Sequence, residues 1–142
     1  MATDTNTGQP IFHGATSSGL RNVGSYQVSG HPYVTGSTIA SGQQHTISFP
    51  YVTKKVTVIA SGSITGDLRV HFHATSSENR VADGLHYISL DSHEDSLEFD
   101  VKCKEIYVST FAGNSGGYRI YASLTTIPTS SMFALSGSGI TD

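Results

Sequence analysis

The residues whose types and spacing come closest to chemistry are His71, His73 and Glu78. Side chains at i and i+2 of a strand leave on one face. Two imidazoles placed that way can share a divalent metal, and Glu78 would add an oxygen ligand. The same run sets Leu68, Val70, Phe72 and Ala74 on the opposite, apolar face. The histidines, with Arg69, therefore belong to the face turned to water, and a solvent-facing pair is the simpler reading. His86 and His93 have no ligand spacing. With 21 Ser and 7 His the chain offers many Ser/His combinations, yet none lies in a Gly-x-Ser-x-Gly turn that leads into a helix. Asp91, Glu94, Asp95, Glu98 and Asp100 gather near one turn, where calcium is the ion such oxygens would take. No EF-hand or nonapeptide spacing accompanies them, and a solvated acidic loop is sufficient. Neither a catalytic residue nor a cofactor is expected.

Gly66, His71, His73, Glu78 and Gly84 together resemble the first motif of the cupins, small β-barrels that often hold a metal. The spacings before His71 and after Glu78 are each one residue short of that pattern. The second motif, a Pro-x-Gly with a following His, is absent. Cupin ligands also point into the barrel, whereas Leu68, Val70 and Phe72 occupy the inward face here. A cupin-like metalloprotein is accordingly a minor alternative.

The elements that must carry these residues read as strands. Leu97, Phe99, Val101 and Cys103 alternate with Glu98, Asp100 and Lys102. Residues 106–109 repeat the alternation, and Tyr118, Ile120, Ala122 and Leu124 repeat it once more. A period of two places one face on a core and the other in water. Further strands are expected over residues 23–28, 33–34, 45–49, 54–60, 68–74 and 85–90, with 61–67, 76–84 and 91–96 as loops. No stretch has the i, i+3, i+4, i+7 spacing of a helix. Eight or nine short strands between Gly-rich turns predict an all-β fold: an antiparallel β-sandwich or jelly-roll-like barrel. Composition agrees, since 21 Ser, 16 Thr and 15 Gly accompany only 13% charged residues.

At 142 residues the chain suits one domain with a sizeable core. Residues 1–22 are expected to be a flexible N-terminal arm and residues 23–142 a single β-sandwich domain. Ile11, Phe12 and Leu20 are the arm's apolar anchors if it orders on a neighbouring subunit. Cys103 lies on an apolar strand face and reads as a small core hydrophobe. Met132, Phe133 and Leu135 form an apolar hook that caps the core or docks on a partner. A net charge of −3 without a basic run argues against nucleic acid as a partner. No signal-peptide pattern and no apolar run near ~18 residues is present, so synthesis in a cytoplasm and no membrane span are expected. Tyr87, Tyr107 and Tyr121 fall on outward strand faces. Without Trp, a subunit interface suits them better than sugar stacking.

Four strings carry a resemblance to a known group: NVGSYQVSGHPYVTGS from Asn22, FPYVTKKVTV from Phe49, VKCKEIYV from Val101 and MFALSGSGITD from Met132. With them the chain resembles small virion structural proteins of marine tailed phages, of the T4-like cyanophage type. The resemblance implies a non-enzymatic, multicopy role, best fitted by a capsid decoration (cement) protein that docks on the major capsid protein lattice and stabilises the phage head. It also implies virion localisation after assembly in the host cytoplasm, and contact with neighbouring copies as a trimer or dimer. The alternatives are a tail, collar or fibre component, or a glycan-binding module of the virion.

Overall fold

The computed structural model describes residues 19–142. The residues that alternate do form strands: β1 (Pro32–Ile39), β2 (Gln44–Ser48), β3 (Tyr51–Thr65), β4 (Leu68–His71), β5 (Ile88–Leu90), β6 (Ser96–Phe99), β7 (Glu105–Thr110) and β8 (Ser115–Pro128). They build two antiparallel four-stranded sheets, ordered β1-β8-β3-β6 and β2-β7-β4-β5, so the fold is an all-β sandwich. The pairing is nested: β1 with β8, β2 with β7, β3 with β6 and β4 with β5. The chain thus behaves as one long antiparallel ribbon folded over itself. Only the contacts β8–β3 and β7–β4 close the two sheets.

The core lies between the sheets, where the apolar halves of the alternation meet. Val56, Val58 and Ala60 of β3 face Ile106 and Val108 of β7, with Ile120 and Ala122 of β8 beside them, all essentially without exposure. Burying each such aliphatic side chain is worth about 1.5–3 kcal/mol. One polar link enters this layer, Tyr118 Oη to His45 Nδ1 at 2.9 Å. A buried phenol requires such a partner. Cys103 is buried as expected, and Thr53 Oγ1 lies 3.3 Å from its sulfur.

Several boundaries differ from the alternation: the expected short strand at 33–34 runs from Pro32 to Ile39 against β8, and the expected strand at 68–74 ends at His71, which leaves His73 beyond it. Residues 23–28 form no strand. Val23–Tyr26 is a 3-10 turn whose first free amide, Gly24 N–H, donates to Asn22 Oδ1. Val23 is 87% exposed, so no buried face existed to hold a strand there. The expected loop at 61–67 is mostly strand, because β3 continues to Thr65 against Gly117 and Ser115 of β8. Gly116 and Gly117 permit that approach: a Cβ on Gly117 would stand 2.8 Å from the Ser61 carbonyl oxygen, and one on Gly116 3.2 Å from Ile64 Cγ1. The strand at 85–90 shrinks to Ile88–Leu90, since Leu85 adopts φ +62°. Beyond Phe99 the ladder of β6 stops, although Val101 and Cys103 still point to the core. Thr53, at a register shift of β3, replaces the ladder there. Its hydroxyl donates to Val101 O at 2.7 Å and its amide to Cys103 O at 3.0 Å.

The hook after β8 is half as expected. Met132 is buried with Val52 and Ile127 in a second small cluster, joined by Leu135, while Phe133 is 65% exposed.

Candidate functional site

The two sheets differ in what lies on their outer faces. On the second sheet, the 16-residue connection between β4 and β5 crosses back over the strands. Thr75 anchors it, its amide donating to Gln44 Oε1 of β2 at 2.9 Å. Asn79 Nδ2 donates to Ala74 O at 2.8 Å, and Val81 is fully buried. The chain end locks the same segment, with Arg80 N–H donating to Thr141 O at 2.9 Å.

Beneath this roof the expected solvent-facing histidine is buried. His71 is 1% exposed, and Arg69 is 7% exposed. The outward placement of both is therefore corrected: the alternation is right, but the outer face of β4 is covered. His71 stacks on Tyr107 with ring centroids 5.8 Å apart. Its Nδ1 lies 2.8 Å from His73 O and its Nε2 lies 2.7 Å from Ser109 Oγ. A carbonyl only accepts, so Nδ1 carries the proton and Nε2 accepts from the serine hydroxyl. Burial holds the imidazole neutral, with its pKa lowered to about 4.

This serine–histidine contact has the distance of an activated nucleophile, but Ser109 is 2% exposed and the far nitrogen is held by a carbonyl instead of a carboxylate. It is a satisfied buried pair. Nor do His71, His73 and Glu78 converge on a metal: both His71 nitrogens are occupied, and His73 Nδ1 meets Ala74 O at 3.1 Å. Among the described residues no group of three or more His, Cys, Asp or Glu side chains is placed to hold one. In the acidic turn, Asp95 Oδ2 accepts from the amides of Asp91 and Ser92, which makes it a turn-former.

Arg69 sits between aromatic rings, its guanidinium carbon 3.9 Å from the Phe111 centroid and 5.5 Å from that of Tyr87. Nη2 donates to Thr110 O at 3.1 Å, while Nε is buried without a partner. No carboxylate lies within ion-pair distance of it among the described residues.

The three tyrosines do not share a face. Tyr107 and Tyr87 are half-buried on the second sheet, against His71 and Arg69 respectively. Tyr121 stands alone on the first sheet, 43% exposed. Leu20 is half-buried beside the small cluster of Val52, Ile127 and Met132, and Tyr26 Oη donates to its carbonyl. Ile11 and Phe12 lie outside the described residues.

Among the described residues nothing roofs the first sheet, and its outer face shows three cross-strand rows. Val34, Tyr121, Thr57 and Glu98 form the middle one; Gly36, Arg119, Ile59 and Ser96 flank it on one side, and Pro32, Ser123 and Lys55 on the other. Val34 is 70% exposed directly opposite Tyr121. Lys55 Nζ contacts Glu98 Oε1 at 2.9 Å, an exposed pair that raises the lysine's pKa. Next to Gly36 the face sinks into a shallow hollow of about 820 Å³, lined by backbone and small side chains such as Ser37, Ser61, Gly62 and Gly117. Chemically the face offers one aromatic, one aliphatic and a mixed-charge rim, which suits contact with another protein surface. Val34 and Arg119 were missed in the sequence because only register places them beside Tyr121. The apolar Val34 at an outward position was the available signal. No protein-family model and no curated protein matches the chain.

Proposed function

We propose that this chain is a non-enzymatic structural protein of a virus particle, a capsid decoration protein that docks through the open face of its first sheet. One observation carries the reading: among the described residues, one outer face is closed by 16 residues of the chain itself, while the other leaves Val34 and Tyr121 side by side in solvent. A sandwich that covers one sheet and leaves a mixed apolar and polar patch on the other is built to be covered by something else. The nested strand order supports it as well. It is compatible with the wrapping of a jelly roll, an architecture found in viral capsid and lectin domains, though fold alone assigns no function. The resemblance to small virion proteins of marine tailed phages points the same way.

In this role the partners are the major capsid protein and neighbouring copies. Tyr121 and Val34 supply the desolvated centre of each contact, with Arg119, Lys55 and Glu98 at its rim. Each contact is weak, and repetition over a lattice supplies the strength.

Co-sedimentation with expanded capsid shells of a T4-like marine phage tests it. The expected result is saturable binding at a fixed ratio to the major capsid protein. Tyr121→Ala should weaken binding by tenfold or more, as truncation of a buried aromatic anchor costs about 2 kcal/mol or more. Absence of wild-type binding to shells, or recovery of the protein only with tails or fibres, would overturn it.

A further inference from the structure

A sandwich has four edge strands, and each presents unpaired backbone groups that another strand can take. Three of the four are protected here. β5 has three residues. β6 has four, carries the exposed Glu98, and follows the acidic turn at 91–95. β2 has five, is bounded by Pro50, and is held at its ends by Thr75 on Gln44 and by Tyr33 Oη on Ser48 O.

β1 is the exception. It runs for eight residues, Pro-Tyr-Val-Thr-Gly-Ser-Thr-Ile, without a charge. Its register with β8 is unbroken from Pro32 to Ile39, so no bulge twists the edge away. Among the described residues nothing pairs with its other side. Proline stands only at the first position, where it leaves the remaining amides free. A long, flat, uncharged edge is the kind that natural proteins either blunt or use.

We infer that β1 is an interaction edge that pairs antiparallel with the β1 of a second copy of this chain, joining the two first sheets across a two-fold axis into one eight-stranded sheet. The occupant follows from the edges themselves. Among the described residues a second copy that adds a strand here offers only one unprotected edge, its own β1, and the same edge on both sides is an isologous contact. Such a pair closes: its outer ends are the short, charged β6 strands, so no further copy adds. The seam suits it, because Val34, Gly36 and Thr38 on the outer side and Thr35 and Ser37 on the inner side bring no like charges together. The edge shares Val34 with the capsid-facing patch, but the inference rests on the unpaired backbone of β1 and stands whether or not the protein decorates a capsid.

Light scattering of the full chain across a wide concentration range tests it, together with Val34→Lys/Thr38→Lys. Both positions are exposed, so the variant should keep the wild-type circular dichroism. The expected result is a wild-type dimer, with dissociation raised at least a hundredfold in the variant, since lysines then face lysines across the seam. A wild type that stays monomeric, or a variant that remains dimeric, overturns the inference. Hydrogen exchange on the wild type decides the matter if the variant does not fold. Protection of alternate β1 amides that grows with concentration supports the pairing, and free exchange at all concentrations refutes it. Protection that is independent of concentration and lost on deleting residues 1–18 would assign the edge to the chain's own N-terminal segment, which also refutes it.

Discussion

At the scale of single residues, the buried polar side chains under the roof set how the fold responds to solution conditions. His71 has its pKa lowered to about 4 by burial. The unfolded chain therefore binds a proton at this position between pH 6.5 and 4 that the folded chain refuses. Stability contributed by neutral His71 is complete above about pH 6.5 and declines as pH falls to 4, by up to about 3 kcal/mol. Urea midpoints at pH 7, 5 and 4 should fall in wild type and fall less steeply in His71→Leu. The variant is also destabilised at pH 7, because the Ser109 hydroxyl loses its acceptor. Arg69 gives a second test. Among the described residues its guanidinium has one hydrogen bond, two rings and no counter-charge. Packing, more than charge, is what it contributes, so Arg69→Met should cost at least about 1 kcal/mol less than Arg69→Ala in chemical denaturation. Cys103, with its pKa pushed up to about 11 by burial, should resist thiol reagents until the protein unfolds.

At the scale of elements, the backbone approach between β3 and β8 is the tightest feature of the first sheet. A Cβ on Gly117 meets the Ser61 carbonyl, a backbone atom that cannot swing aside. Gly117→Ala should therefore cost about 1–3 kcal/mol, whereas Gly19→Ala, with nothing near its position, should stay within about 0.5 kcal/mol. Thermal unfolding of the two variants makes the comparison. Strands β3, β7 and β8 were legible in the sequence because Val56, Val58, Ile106, Val108, Ile120 and Leu124 alternate with polar residues without interruption. The covered face of β4 was not. Arg69 and His71 are the same residue types whether water or a loop lies over them, and the segment that covers them reads as polar, with Val81 its single buried apolar signal. The extension of β3 past Gly62 was likewise hidden, since Ser61-Gly62-Ser63 has the composition of a turn. For the candidate site, Tyr121 was legible as outward. Its separation from Tyr87 and Tyr107 was not, because sheet membership depends on pairing between distant strands.

At the scale of the whole molecule, one sheet is roofed and, among the described residues, the other is bare, so contacts with other molecules fall to the first sheet. The nested strand order has a further consequence, for how the chain comes into being. β8 is the last of the eight described strands to be synthesised, yet it stands between β1 and β3 in the middle of the first sheet. Until Ser115–Pro128 leaves the ribosome, that sheet has no centre, and β1 and β3 have nothing to pair with along their longest ladders. The pair joined by the shortest connection is β4–β5, so closure is expected to proceed outward from it over ever longer loops, at the slow rates of β-topologies rich in non-local pairing, on the order of milliseconds to seconds. A nascent chain truncated before β8 exposes unpaired strands and is prone to aggregate. The emergence of Ser115–Pro128 is thus the event that converts β1 from a hazard into a usable edge.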